Sequence, residues 1–137
     1  MRKLATGILT AGLFAVGAGT AFAASWHNIP TLRTGGAEFN SAQYKFLPAG
    51  RQTHGAFQWK GNLKDANHGD GNNVYVQVKV EGYSWSRYNG KQRKSVGLNK
   101  LSYDGAARYT RDGYIRVCRD RGSLRPDNCS VTKHYRR

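Results

Sequence analysis

The chain has 137 residues and carries 22 Lys and Arg against 8 Asp and Glu, a formal net charge of +14. That length suits one domain around one modest core and excludes two. Eight acids, four histidines and two cysteines leave little material for a paired-carboxylate active site or a metal centre.

Met1-Arg2-Lys3 is a short cationic start. An apolar run of small residues follows from Leu4 to Thr20 and closes on Ala21-Phe22-Ala23. This order predicts a secretory signal peptide over residues 1–23. A membrane anchor is the poorer reading, because Gly7, Gly12, Gly17 and Gly19 dilute the apolar run. No later segment is apolar for long enough to span a bilayer. The expected product is a secreted, extracellular, monomeric protein with no membrane span. Without Arg2 and Lys3 it holds 20 basic and 8 acidic residues, a net of +12. The excess is lopsided: residues 24–82 hold six basic and four acidic residues, and residues 83–137 hold fourteen and four. Such a field favours anionic partners, with strong salt dependence.

Residues 24–40 show no period of two or 3.6, and Pro30 and Gly35-Gly36 interrupt them, so a flexible N-terminal arm is expected there. The domain proper is placed at 41–137. A first short strand is expected through Tyr44-Lys45-Phe46-Leu47. Phe57, Trp59 and Leu63 share a parity, which predicts a half-buried strand with Gly61 as a bulge or a point of close approach. The loop Asp65–Asn73 is rich in oxygen atoms, so calcium has to be weighed. Asp70 stands where a calcium-binding EF-hand loop needs glycine, and Asp, Asn and Gly are also what tight turns use.

Val74, Val76, Val78 and Val80 alternate with Tyr75, Gln77, Lys79 and Glu81. Strict alternation with β-branched residues on one parity predicts a central strand with one buried face. The strand is expected to continue through Tyr88 into a type I′ hairpin at Asn89-Gly90. In that register facing residues sum to 179, so that Val76 faces Tyr103 and Val78 faces Leu101. The tip would then gather Tyr83, Trp85, Arg87, Tyr88, Lys91, Arg93 and Lys94 with no acidic residue among them. Rings interleaved with cations suit stacking on planar groups and contact with phosphates or sugars. The plainer alternative turns Tyr83 and Trp85 back onto the core and leaves the charges solvated.

Further along, Asp104-Gly105 reads as a turn, and Arg111-Asp112-Gly113 as a turn or bulge. Tyr114–Cys118 alternates again, with Ile115 and Val117 inward, and Cys129–Tyr135 reads as a closing strand. Cys118 and Cys129 are most simply a disulfide in an oxidising compartment. His27, His54, His68 and His134 lie in separate segments without metal-ligand spacing, and no nucleophile or phosphate-binding motif is present. No enzyme activity, metal or cofactor is expected.

Gly61–Asp65, Asp70-Gly71 with Val74-Tyr75-Val76, Ile115–Asp120 and Asp127–Ser130 together resemble uncharacterised small secreted actinobacterial proteins. The resemblance spans residues 55–131 and implies an exported β-sandwich-like fold with a disulfide near the C-terminus. It implies no catalytic residue. Some of those proteins resemble this chain with an added cysteine near the start of the valine strand, where Asn72-Asn73 stand here.

These readings combine into an all-β protein: a single antiparallel β-sandwich of six to eight short strands, preceded by a signal peptide and an arm. The expected function is non-enzymatic binding of extracellular polyanions through the hairpin tip. Cell-wall anionic polymer, acidic polysaccharide and DNA are the candidate ligands. A cationic toxin or antimicrobial acting on anionic envelopes is one alternative. A protease-inhibitor-like module using the loop Arg119–Asn128 is another.

Overall fold

A computed structural model describes residues 25–48, 55–103 and 110–137. The expected signal peptide and the Asp104-Gly105 turn lie outside the described residues. Among these residues ten strands follow one another: β1 (His27–Ile29), β2 (Leu32–Thr34), β3 (Ala37–Leu47), β4 (Ala56–Asp65), β5 (Val74–Val80), β6 (Ser86–Asn89), β7 (Ser95–Ser102), β8 (Asp112–Arg119), β9 (Asn128–Cys129) and β10 (Lys133–Arg136). All pairings are antiparallel. The first sheet has the order β1-β3-β4-β7, with β2 also on β3; the second has the order β10-β8-β5-β6, with β9 also on β8. The all-β sandwich expected from the alternation is what the chain forms. No helix among the described residues is long and apolar enough to cross a membrane.

The core lies between the sheets. The first contributes Phe39, Phe57, Trp59 and Leu63, and the second contributes Val74, Val76, Val78, Ile115 and Val117. The valine strand is central in its sheet, as its alternation requires, with β8 on one side and β6 on the other. Phe39 and Trp59 meet edge to face at 6.0 Å. Gly113 has no side chain because the Phe57 ring lies on its backbone; a Cβ there would come within 2.6 Å of that ring. The bulge expected at Gly61 is instead on the neighbouring strand, where the register slips between Asn40 and Gln43 and Ser41 takes a φ of 51°. Gly61 serves that distortion by close approach, since a Cβ would sit 2.5 Å from Phe39.

Two expectations are overturned. Residues 24–40 are not a flexible arm: β1, β2 and the start of β3 occupy most of them, and Ile29, Leu32, Ala37 and Phe39 are buried. The segment escapes a periodicity test because its strands are three residues long and broken by a turn at Gly35-Gly36. The second is the hairpin. Asn89-Gly90 is no type I′ turn, because neither residue has the positive φ that such a turn needs. The chain reverses earlier, at Glu81-Gly82, and facing residues of β5 and β6 sum to 164, as in Val76 with Tyr88. At Gly90 the chain instead passes between sheets. Its N–H donates to the Val74 carbonyl at 2.8 Å, and a Cβ there would come within 3.0 Å of Leu63 and Val74. Glycine at this point answers to crowding, not to turn geometry.

The disulfide forms between Cys118 and Cys129, which face each other across β8 and β9. It is compatible with an extracellular location.

Candidate binding site

Alternation along β5 turns the valines inward and leaves Tyr75, Gln77 and Lys79 on the outer face of the second sheet. Register then sets their neighbours. Gln77 stands between Arg87 of β6 and Arg116 of β8, and Lys79 stands beside Tyr114. Facing side chains in a sheet touch, so one strand's parity propagates across three strands. The result is a lattice in which rings and cations alternate. The Lys79 ammonium lies 5.0 Å from the Tyr114 ring centre and 4.8 Å from that of Trp85. The Arg116 guanidinium lies 4.3 Å from the same Trp85 ring and donates through Nε to Gln77 Oε1 at 2.8 Å. The Arg87 guanidinium covers Tyr75 at 3.7 Å. His134 stacks on Tyr114 at 4.3 Å and meets Asp112 at 2.7 Å.

Acidic residues sit at the rim of this lattice and fix it. Asp120 accepts from Arg87 at 2.8 Å and from the Gly122 N–H at 2.8 Å; the arginine bond first, then the backbone bond, hold its carboxyl below the ordinary range. Tyr75 donates its hydroxyl to Asp127. Burial, and then that hydrogen bond, push the phenol up to about 12, so the ring stays a neutral donor at any physiological pH. Asp120 and Asp127 both belong to the disulfide loop, so the staple holds one edge of the lattice in place. Among the described residues, neither Lys79 nor Arg116 is paired with a carboxylate. Their charge remains available to an outside anion.

Beside the lattice the sandwich opens into a cleft of about 430 Å³. One wall comes from the β5–β6 turn with Tyr83, Ser84, Trp85 and Ser86; the other comes from Leu101, Ser102 and Tyr103 at the end of β7. Tyr88 lines it from within and rests edge-on against buried Trp59 at 5.0 Å. The turn that builds the near wall is anchored by Glu81. This residue takes a φ of 50° and accepts from the backbone N–H groups of Arg111 and, at 2.9 Å, of Asp112. Among the described residues, Lys79 is the one charged side chain in the lining. Tyr83, Leu101 and Tyr103 are about half exposed.

The structure therefore divides the seven expected site residues. Tyr83, Trp85 and Tyr88 line the cleft, Tyr88 mainly as core, and Arg87 joins the lattice. Lys91, Arg93 and Lys94 do not join them. They occupy the separate turn between β6 and β7, because β6 returns along β5 instead of pairing with β7. That turn is built on buried Asp65. Asp65 Oδ2 accepts from the Arg93 N–H at 2.7 Å, and the Asp65 N–H donates to the Lys94 carbonyl at 3.1 Å. The Asp65–Asn73 loop is a chain of side-chain-capped turns. Asp65, Asn67 and Asp70 each accept from an N–H two residues on, and Asp70 also meets Arg119 at 3.2 Å. Lys79, Tyr114, Arg116 and Tyr103 went unnoticed in the sequence as site residues. The signal for the first three was the shared outward parity of Val74–Val80 and Tyr114–Cys118, readable only once these two strands are paired.

No family model, curated protein or solved structure matches the chain. The site has to be read from its own geometry.

Proposed function

We propose that the protein is a non-enzymatic binding module for anionic polymers, acting outside the cytoplasm. The observation that carries this reading is the lattice itself: Lys79 and Arg116 are held on Trp85, unpaired with any carboxylate among the described residues, on the outer face of the sheet. Fixed cations need little further ordering to meet an anion, and a chain's overall positive field speeds the encounter. The expected mechanism is contact of Lys79, Arg116 and the outer edge of Arg87 with successive anionic groups, with release of counterions.

The test is retention on immobilised heparin, teichoic acid and DNA across a salt series. Two or three such contacts give a slope of about −2 in log affinity against log salt, roughly a hundredfold loss per tenfold rise in salt. The double variant Lys79→Ala, Arg116→Ala should lose most of the retention, whereas Lys91→Ala, Lys94→Ala should lose little. A flat salt response, or equal losses in the two variants, would overturn the reading.

A second reading has one observation of its own. Within the disulfide loop Leu124 is 95% exposed, between Gly122 and Pro126. A displayed apolar side chain on a stapled loop suits a protein partner, as an inhibitor would require. Binding of that kind should survive high salt and fail on Leu124→Asp.

A further inference from the structure

We infer that the end of the sandwich carrying the disulfide loop docks on a lipid bilayer with anionic headgroups, Leu124 entering the surface and the cations around it meeting the headgroups. This goes beyond the proposed function and does not rest on it, because it uses different cations. Register gathers the loops at that end. Ala37 faces Asp65 and Lys64 faces Ser95, so the Gly35-Gly36 turn and the turn between β6 and β7 lie at one end of the first sheet. Val74 faces Arg119 and Tyr75 faces Asn89, which brings the disulfide loop and that same β6–β7 turn to one end of the second. The Asp65–Asn73 loop joins the two ends and ties them together. Its Gly71 carbonyl accepts from the Gln92 amide at 2.9 Å, its Asn73 carbonyl accepts from the Asp120 N–H at 2.9 Å, and its Ala66 N–H donates to the Gly36 carbonyl at 3.0 Å. All of these loops fall within the described residues.

Charge at this end is sorted by depth. Asp65, Asp70, Asp120 and Asp127 are engaged in the scaffolding. Asp65 accepts from the Arg93 N–H, Asp70 meets Arg119, Asp120 meets Arg87, and Asp127 accepts from the Tyr75 hydroxyl and, at 2.9 Å, from the Arg121 N–H. None of these carboxylates belongs to an exposed residue, whereas Lys91, Arg93, Lys94 and Arg125 are all exposed. Among the described residues, none of those four cationic side chains is paired with a carboxylate.

Leu124 is 95% exposed at the tip of the stapled loop. The shoulders of that loop are fixed by the disulfide and by the bonds to Asp120 and Asp127. A loop already ordered loses little further freedom when its tip is buried. An anionic polymer would meet the cations and leave the leucine in water. An apolar pocket on a protein would cover the leucine and leave the cations of the β6–β7 turn without a partner. A bilayer supplies both, an anionic headgroup layer over an acyl boundary, and interfacial binding adds the two contributions.

The experiment is co-sedimentation of the whole chain with phosphatidylcholine vesicles, with and without phosphatidylglycerol. Residues 1–23 are common to every variant, so the differences report on the loops. Phosphatidylglycerol should tighten binding about tenfold or more. Each cation near an anionic surface contributes about fivefold, so Lys91→Ala with Lys94→Ala should weaken binding to the anionic vesicles by more than about tenfold. Leu124→Asp should weaken it about tenfold, the scale of one buried leucine. Lys79→Ala with Arg116→Ala, on the outer sheet face, should lose less than the Lys91, Lys94 pair. Leu124→Trp places a reporter at the tip, and bromine-labelled acyl chains should quench it beyond any quenching of the wild type. Equal binding to the two kinds of vesicle overturns the inference, as does a loss in the Lys79, Arg116 variant as large as that in the Lys91, Lys94 variant. Added Leu124→Trp emission that bromine leaves unchanged also overturns it, and gives the leucine to a protein partner instead. Heparin retention is read separately, so failure on vesicles leaves the polyanion reading standing.

Discussion

Two tryptophans in this molecule have the same company and different settings. Trp26, just before β1, has Lys45 at 4.4 Å and Lys60 at 4.1 Å from its ring centre, on the outer face of the first sheet. Trp85 has Lys79 and Arg116 at comparable distances on the outer face of the second. The pairing of a ring with two cations therefore does not mark a site; it is also a way to cover a sheet. The settings differ beneath the rings. Around Trp26 the first sheet is laced with amide pairs such as Gln43 with Asn28 and Gln58 with Asn99. Trp85 overhangs a cleft that reaches the core through Tyr88 and Trp59. The contrast teaches that a cleft lined by the ring itself and reaching the core, not the ring and its cations, marks the second region as the candidate binding site.

The largest expected effect breaks the connection between cleft and core. Tyr88→Ala removes a partly buried ring that packs on Trp59, and truncation of such aromatics costs about 3 kcal/mol. Urea unfolding followed by tryptophan fluorescence measures it. Trp26→Ala should cost under ~1 kcal/mol, since exposed cation–ring contacts contribute on that order. Equal costs would mean that both tryptophan regions are surface decoration and the cleft has no privileged link to the interior.

Next comes the staple. The disulfide closes a separation of 11 residues, for which the chain-entropy model gives about 3 kcal/mol at most. Cys118→Ser with Cys129→Ser should lower stability by roughly 2–3 kcal/mol. It should also loosen Asp127 from Tyr75, the ring under Arg87, and so lower polyanion affinity measured at a temperature where the variant remains folded. Unchanged affinity in the folded double variant would show that the staple supports the fold and not the lattice.

How much of this was legible follows from the range over which each signal acts. Alternation is local, so Val74–Val80, Phe57–Leu63 and Tyr114–Cys118 declared themselves as strands, and two cysteines in so short a span declared a disulfide. Pairing is not local. Asn89-Gly90 carries the strongest short hairpin signal in the chain, yet Gly90 is there because Leu63 and Val74 leave no room for a side chain. A reading that assigned the glycine to a turn joined Val78 to Leu101 and drew Lys91, Arg93 and Lys94 into the site. The true neighbours of Val78 are Ser86 and Ile115, the latter 37 residues on in sequence. The cleft was half visible, because Tyr83, Trp85 and Tyr88 are contiguous, while its far wall at Leu101–Tyr103 depends on how the two sheets are stacked. The short strands at 27–34 were hidden because three residues cannot display a period.

The smallest expected effect separates the two sheets by acid. Asp120, at the edge of the lattice, and Glu38, on the first sheet, both have carboxyls held below their ordinary values. For Asp120 the main cause is the bond from Arg87; for Glu38 it is the bond from Asn40 and then that from Arg33. A carboxyl lowered in the folded state stabilises the fold above its unfolded value, and that stabilisation is lost as pH falls through the lower folded value. Both contributions should therefore be intact at neutral pH and fade below about pH 4. Asp120→Asn keeps the shape and removes one titration. Its unfolding free energy should fall less steeply than the wild type's as pH drops below about 4, and Arg87, no longer facing a carboxylate, should bind polyanion more tightly at neutral pH. Glu38→Gln should flatten the same acid limb without changing polyanion affinity, because no part of the lattice touches it. If both variants raise affinity alike, the gain is only one of net charge, and the two outer faces are electrostatically equivalent.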